Sequence, residues 1–363
     1  MGAGGPATRA ARLRRLTVRI LANPLRGTGL PSDEGMAEGE ISLDMVGARA
    51  LYARCPKAME TPLVSLDGVA TDLGIAALHA KDERQRMGLG SFKALGAAYA
   101  LAKEAVARGG DPATALAGRT YVSASAGNHG ISLAAGAPLF GAKAVVYLSE
   151  TVPESFADRL RAKGADVRRA GADYAESLAA AMEEGERQGW HLLSDTSWEG
   201  YAAPARDIME GYLVMGAEAG EQMAETPTHV FLQAGVGGMA VGGAAAARLV
   251  WGDAPKLIVV EPEAAPALFA SVEAGRPVHA PGPVSCMGRL DCKEPSHLAL
   301  KYLAREADAF VLVTEDEGRK AADRLGAAGM ATTPSGAGGF AGLLGMPEPD
   351  MRALVYVSEG PDA

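Results

Sequence analysis

Short apolar, β-type runs recur along the chain at 78–81, 120–123, 144–148, 230–234, 257–261, 310–314 and 354–358. Longer stretches of helical character lie between many of them, for example 92–108, 131–140, 154–162, 174–188 and 238–249. Strand and helix alternating at this rhythm build parallel βαβ units, so the pattern predicts a doubly wound α/β architecture. In such sheets ligands bind outside the carboxyl ends of the strands, so chemistry is expected in the loops that follow them. The first fifty residues break the rhythm. They are rich in Gly, Pro and Arg, with a cluster of breakers at 27–32, and read as an arm rather than a domain. The chain shows no internal repeat.

Composition narrows the class. A chain of 363 residues corresponds to about two domains. Its 35 Lys+Arg against 44 Asp+Glu leave a net charge of −9, which argues against a general binder of nucleic-acid phosphates. With 46 glycines and only 5% aromatics, the chain reads as one of tight turns and close backbone approaches. Cys55, Cys286 and Cys292 make too sparse a set for a disulfide framework. They read as free thiols in a reducing cytoplasm, with a Cys286–Cys292 link as the alternative. No apolar run approaches the roughly 18 residues that a membrane span requires. Arg9, Arg12, Arg14, Arg15 and Arg19 have no apolar core behind them, so the start reads as a solvated arm and not a secretory signal. His79, His191, His229, His279 and His297 lack metal-ligand spacing, and no metal is expected.

Three loops and one lysine carry chemistry. Ser125–Ala126–Gly127–Asn128–His129–Gly130 follows a strand and opens a helix, a place where backbone N–H groups meet an anion such as a carboxylate. Gly235–Val236–Gly237–Gly238–Met239 follows the next informative strand, and its glycines let the backbone bend around a phosphate. A dinucleotide loop competes for that stretch, but the spacing is not GxGxxG, and Glu261 is weak support for a ribose-binding acid. Ser358–Glu359–Gly360 follows the last strand, where a hydroxyl can meet a ring nitrogen or simply mark a surface turn. Lys93 stands at the head of a helix, just after glycines and amid apolar neighbours. Such an amine is expected to have a lowered pKa, as attack on a carbonyl requires.

In this order and spacing, Gly90–Ser91–Phe92–Lys93 and the three loops resemble the fold type II (tryptophan synthase β-like) family of pyridoxal-phosphate enzymes. Within that family the chain looks most like the diaminopropionate ammonia-lyases. The supporting stretches are Thr61–Pro62–Leu63–Val64, Lys81–Asp82–Glu83, Asp195–Thr196–Ser197–Trp198–Glu199–Gly200–Tyr201 and Glu294–Pro295–Ser296. The resemblance runs from about residue 51 to the end. It implies a two-domain α/β fold with parallel sheets flanked by helices. The large cofactor-binding domain would be 51–110 plus 217–363, the small mobile domain 111–216, and the arm 1–50. It also implies a homodimer, which the arm would wrap.

The same resemblance implies roles. Lys93 would carry pyridoxal 5'-phosphate as a Schiff base and then act as the base at Cα. Gly235, Val236, Gly237, Gly238 and Met239 would hold the phosphate, Asn128 the ring oxygen and Ser358 the pyridine nitrogen, with Phe92 beside the ring. Ser125, Asn128 and His129 would hold the substrate carboxylate, with Ala126 in the same loop, and Asp195 would bind a β-ammonium group. The reaction implied is β-elimination from a small amino acid, foremost L-2,3-diaminopropionate, to pyruvate and ammonia. A dehydratase acting on serine, threonine or 3-hydroxyaspartate is the alternative. A ligand-sensing relative without activity is disfavoured by the intact lysine and loops.

Three departures bear on substrate. Ala126 stands where ammonia-lyases that accept both enantiomers can carry an aspartate, and a methyl group takes no proton, so the L enantiomer alone is expected. Arg289 in Met287–Gly288–Arg289–Leu290 replaces a usual glycine; it either clamps a second carboxylate of a larger acidic substrate or turns outward. Thr333–Pro334–Ser335–Gly336–Ala337 lacks the glutamate that relatives often carry before Ser-Gly-Ala.

Overall fold

The computed structural model describes residues 18–361 and gathers eleven strands into two sheets. The larger sheet combines β1 (Arg19–Ala22), β2 (Leu63–Ser65), β3 (Ala77–Asp82), β8 (His229–Gln233), β9 (Lys256–Pro262), β10 (Ala309–Val313) and β11 (Arg352–Val357). Its order is β1-β10-β9-β8-β11-β3-β2. The smaller sheet combines β4 (Thr120–Ala124), β5 (Lys143–Leu148), β6 (Asp166–Arg169) and β7 (His191–Leu192), in the order β6-β5-β4-β7. Every pairing is parallel except β1 with β10 and β2 with β3, which add antiparallel edges to the larger sheet. Helices flank both sheets, and β8, β9, β10 and β11 are buried almost throughout, as parallel strands covered on two faces must be.

In each sheet the winding reverses at one strand. From β8 the chain steps outward to β9 and β10, then returns to lay β11 on the other side of β8. In the smaller sheet β4 plays the same part, flanked by β5 and β7. Such switch points leave a crevice at the carboxyl ends of the strands, because the connections on either side run away from it. The loops after β4, β7, β8 and β11 emerge there.

Two expectations need correction. The stretch 92–108 is not one helix. Phe92–Leu95 forms a single tight turn, Gly96 breaks the geometry, and the α-helix runs over Ala97–Arg108. Close packing requires glycine at the break: a Cβ at position 96 would lie 2.6 Å from the Tyr212 hydroxyl. The arm, over the residues described, is not merely solvated but packs on its own chain. β1 pairs with β10, and the Asn23 amide donates to the carbonyls of Ala304 and Ala307 at 2.8 and 2.6 Å. Met36, Ala37 and Ile41 are buried, and the Ala37 N–H donates to His297 Nδ1 at 3.1 Å. Arg9, Arg12, Arg14 and Arg15 lie outside the described residues.

A buried ionic cluster ties β3 to the helix Ala203–Gln222. Arg86 forks onto Glu218 through Nη1 and Nη2 at 2.8 and 2.7 Å and onto Glu83 through Nε and Nη2 at 2.7 and 2.6 Å. Lys81 Nζ reaches Glu218 at 2.8 Å and donates to the Thr61 carbonyl at 2.6 Å. All four charged side chains are at most 1% exposed, and two cations balance two anions. Burial works to raise the Glu218 pKa, but Arg86 and Lys81 outweigh it and hold the carboxyl below its ordinary value. Burial lowers that of Lys81. The cluster fixes the exit of β3, from which the chain reaches Lys93, and so gathers the Thr61 and Lys81–Glu83 stretches into one support. Removing one member leaves buried charge uncompensated, so Glu218→Ala is expected to cost about 3–5 kcal/mol. Calorimetry should show a clear fall in melting temperature, and a shift equivalent to less than about 1 kcal/mol would contradict the supporting role.

Candidate active site

Lys93 projects from the tight turn Phe92–Leu95 to an ion pair with Asp195 Oδ2. The turn is strapped to the end of β11, since the Phe92 N–H donates to the Ser358 carbonyl at 3.0 Å and the Gly360 N–H to the Gly90 carbonyl at 2.9 Å. Asp195 follows β7, so the pair joins the two sheets. Its side chains are 21% and 19% exposed. Burial by itself would lower the Lys93 pKa, but the Asp195 carboxylate overcomes it and raises the value above that of an ordinary lysine. This corrects the expectation of a lowered pKa, which had no carboxylate in view. Asp195 is pulled the other way: burial would raise it, but Lys93 holds it far below the usual carboxylate range.

The turn that carries Asp195 is held from both sides. Trp198 and Tyr201 stack with centroids 4.3 Å apart, and the Tyr201 hydroxyl accepts the Ser194 N–H at 2.9 Å while donating to the Leu192 carbonyl at 3.1 Å. Trp198 thus has a packing partner in its own turn. Ser197 and Ser296 share a hydroxyl contact at 2.7 Å, and the Ser296 N–H donates to the Val236 carbonyl at 2.9 Å. Through Ser296, therefore, the Asp195 turn and the glycine loop after β8 are fastened to each other.

That glycine loop opens the helix Gly238–Trp251, and Gly237 sits at φ +102°, a backbone angle open to glycine. A Cβ there would also lie 2.8 Å from Ala299 Cβ. The amides of Gly235, Val236, Gly237, Gly238 and Met239 receive no oxygen acceptor from the described residues. With the helix N-terminus behind them they suit a phosphate. The loop adjoins the lysine. A Cβ on Gly238 would touch the Tyr212 ring at 3.4 Å, and Lys93 Nζ lies 5.7 Å from that ring's centroid. Glu261, the candidate ribose-binding acid, is spent elsewhere: its buried carboxyl accepts the N–H groups of Leu268 and Phe269 at 2.8 and 2.7 Å and caps a helix.

After β4, Ser125 Oγ accepts the N–H groups of Gly127 and Gly130 at 3.3 and 3.0 Å and shapes the loop that starts the helix Asn128–Gly136. The Asn128 amide donates to Glu359 at 2.8 Å, and its Oδ1 is buried without a protein partner. His129 donates through Nε2 to the Leu193 carbonyl at 2.8 Å, leaving Nδ1 buried and unpartnered. Ala126 is exposed at the loop's tip, where its carbonyl accepts from Arg289 Nη1 at 2.9 Å. Arg289 is therefore a link between the two sheets, a role neither sequence alternative included. The Ser358 side chain is buried at the end of β11. Phe92 is buried edge-on to Tyr212, with Lys93 Nζ 5.2 Å from its centroid.

Three groups here were not singled out for the site from sequence. Tyr212 is fully buried beside Lys93, with an unpartnered hydroxyl. Cys292 lies against the glycine loop, 2.9 Å from where a Gly235 Cβ would stand, and burial pushes its thiol up to about 12. Glu359 accepts from Asn128 and Thr333 and is raised by burial, so an acid does reach the corner where the Thr333–Ala337 stretch lacks one. Tyr212 and Cys292 look like core residues in a linear pattern, and only Glu359 stood inside a noted motif. All three cysteines are free thiols. An amine on a partly exposed side chain, the amides of Gly235, Gly237, Gly238 and Met239 beside that of Val236, which faces the Cys292 sulfur, and unpartnered atoms of Asn128, His129 and Tyr212 are a donor set that fits a phosphorylated aromatic aldehyde.

Comparison with known proteins agrees with this geometry. Residues 56–358 match the family model described as "Pyridoxal-phosphate dependent enzyme". The diaminopropionate ammonia-lyase of Escherichia coli is 33% identical over 281 residues, covering 73% of this chain and 70% of the relative. An L-threonine ammonia-lyase of Geobacter sulfurreducens is 28% identical over 260 residues, covering 71% of this chain and 59% of the relative. Among solved structures, the E. coli diaminopropionate ammonia-lyase in complex with an aminoacrylate-PLP azomethine reaction intermediate superposes with a TM-score of 0.83 at 28% identity, over 95% of this chain and 94% of that one. The match over most of the chain, on a site built for that cofactor, places the protein in the family of pyridoxal-phosphate dependent enzymes.

Proposed function

We propose that this protein catalyses β-elimination from a β-substituted L-amino acid, with L-2,3-diaminopropionate and water giving pyruvate and two molecules of ammonia. The observation that carries the reading is the Lys93–Asp195 pair. A carboxylate confined in a cleft needs a cation beside it. When the amine of Lys93 is committed to the cofactor, the β-ammonium of diaminopropionate can supply that cation. A neutral hydroxyl cannot, which favours loss of ammonia over loss of water. The dehydratase reading keeps the support of the threonine-acting relative, since the remaining groups would serve either leaving group.

Pyridoxal phosphate, held through Lys93, supplies an electron sink for the charge left at Cα. In this reading the amides of Gly235, Val236, Gly237, Gly238 and Met239 hold the phosphate, Ser358 faces the pyridine nitrogen, Asn128 the ring oxygen, and Phe92 packs beside the ring. Ser125, Asn128 and His129 receive the substrate carboxylate. Lys93 Nζ takes the proton from Cα, and Asp195 stabilises the protonated amine so formed. Ser358 is neutral, so it does not keep the pyridine nitrogen protonated, and expulsion of the β-substituent is favoured. The smaller sheet would close on the larger to exclude water.

The panel that tests this is L- and D-2,3-diaminopropionate, L- and D-serine and L-threonine, scored for 2-oxo acid and ammonia. L-2,3-diaminopropionate should give the highest kcat/KM, with the D enantiomer at least a hundredfold lower because the methyl group of Ala126 accepts no proton. Lys93→Ala should abolish turnover. Comparable rates on both enantiomers, or turnover without Lys93, would refute the assignment. The E. coli relative has been solved with D-serine bound, which makes the enantiomer comparison informative.

Asp195 also governs how readily Lys93 loses its proton. Asp195→Asn removes the charge that raises the Lys93 pKa, so more amine is neutral at any given pH. The rate at which cofactor-free protein takes up pyridoxal phosphate, followed by visible absorbance, should then rise with pH about one unit or more earlier than in wild type. An unmoved curve counts against the pair. A cytoplasmic location, in keeping with the free thiols, and a homodimer complete the reading, and sedimentation velocity should give twice the chain mass.

A further inference from the structure

Tyr212 brings to the site a polar atom that no protein group satisfies. It stands midway along the helix Ala203–Gln222, fully buried, and its hydroxyl has no hydrogen-bond partner among the described residues. A hydroxyl buried in this way costs stability, and in a working site it calls for a partner that arrives in function. The ring is clamped and cannot turn elsewhere. A Cβ on Gly242 of the next helix would stand 2.6 Å from Tyr212 Cβ, and a Cβ on Gly96 would stand 2.6 Å from the hydroxyl oxygen. Phe92 meets the ring edge-on, with centroids 4.9 Å apart.

The nearest charge is that of Lys93. Its Nζ lies 5.7 Å from the ring centroid, and Lys93 and Asp195 are the charged groups that act on the phenol. Burial raises the phenol above its ordinary pKa, so at neutral pH the hydroxyl is uncharged and serves as a hydrogen-bonding group, not as a base. Asp195, Tyr212 and Cys292 are the titratable groups that act on Lys93, and the thiol, pushed up to about 12, is uncharged as well. Of these three, Asp195 is the one anion. In the elimination it must serve two cations. The β-ammonium of the substrate stands against it, and Lys93 becomes an ammonium with three N–H donors when it takes the Cα proton. A second acceptor beside Nζ lets the lysine keep that proton without drawing the carboxylate away from the leaving group.

We propose that Tyr212 is a positioning residue whose hydroxyl oxygen accepts a hydrogen bond from the Lys93 ammonium once Asp195 is engaged by the substrate. This rests on the β-elimination reading and deepens it, by dividing two cations between two acceptors. The balance of the step is unchanged. The Cα–H bond breaks and its proton goes to Nζ, the electron pair forms the Cα–Cβ double bond, and the β-ammonium leaves as ammonia. Tyr212 neither gives nor takes a proton.

Tyr212→Phe deletes the oxygen and keeps the ring, so its packing survives and the melting temperature should be unchanged or higher. With the cofactor-loaded full chain and L-2,3-diaminopropionate, kcat should fall about tenfold, the worth of a hydrogen bond to a charged group, while KM stays within about twofold. Cofactor-free protein supplies a readout without turnover. In an Asp195→Asn background the lysine has lost its carboxylate, and adding Tyr212→Phe should lower its pKa by about half a unit more. Pyridoxal phosphate should then be taken up about threefold faster at a given pH, whereas Tyr212→Phe alone should change uptake less. Wild-type turnover with kcat unaltered in Tyr212→Phe overturns the proposal and spares the elimination reading. Uptake unmoved in the double variant overturns it too, since the oxygen then does not hold the ammonium. A lowered melting temperature with kcat and KM both impaired makes the hydroxyl structural and also overturns it. No 2-oxo acid from any substrate in the wild type overturns the elimination reading and the proposal together.

Discussion

The site turns on two opposite charges brought from different sheets to one point. Lys93 arrives on a turn strapped to the end of β11, and Asp195 on a turn that follows β7. Each alters the other's acidity, so neither can be understood as an isolated residue. A lysine raised in this way is mostly protonated, and its readiness to act as a nucleophile depends on what else stands beside Asp195.

Much of the remaining structure serves to hold those two turns. The ionic cluster of Lys81, Glu83, Arg86 and Glu218 sets the exit of β3, and Gly96 makes room for Tyr212 under the lysine turn. On the other side, Ser197 and Ser296 couple Asp195 to the glycine loop. A disturbance in the glycine loop would therefore be felt at the Asp195 turn through two hydroxyls and one backbone hydrogen bond. This coupling gives the Glu294–Pro295–Ser296 stretch a physical role it lacks as a linear string.

Ala126 stands at the tip of the loop after β4, and Arg289, from the larger sheet, holds that tip by its carbonyl. The contact is one of the points at which the two sheets touch.

The alternation of apolar runs with helical stretches was enough to establish a parallel α/β architecture, because burial on two faces forces long apolar strands and crossovers force helices between them. The glycine loop, the Ser125–Gly130 loop and Ser358 were each visible as strand-end motifs, and Lys93 as a lysine set just after glycines at the head of a helical stretch. Short or charged strands such as β2, β6 and β7 were not, since three residues or a run like Asp-Val-Arg-Arg carry no clear period. The sequence by itself determined the kind of fold, the kind of cofactor and the strand ends at which chemistry gathers, for these follow from local pattern and motif. The tertiary structure alone decided that Lys93 is paired and raised, that Glu261 caps a helix, that Tyr212, Cys292 and Glu359 line the site, and that Arg289 spans the sheets. Each of those depends on a partner scores of residues away or more, except the Glu261 cap, where a nearby turn had to fold back before its amides could be reached.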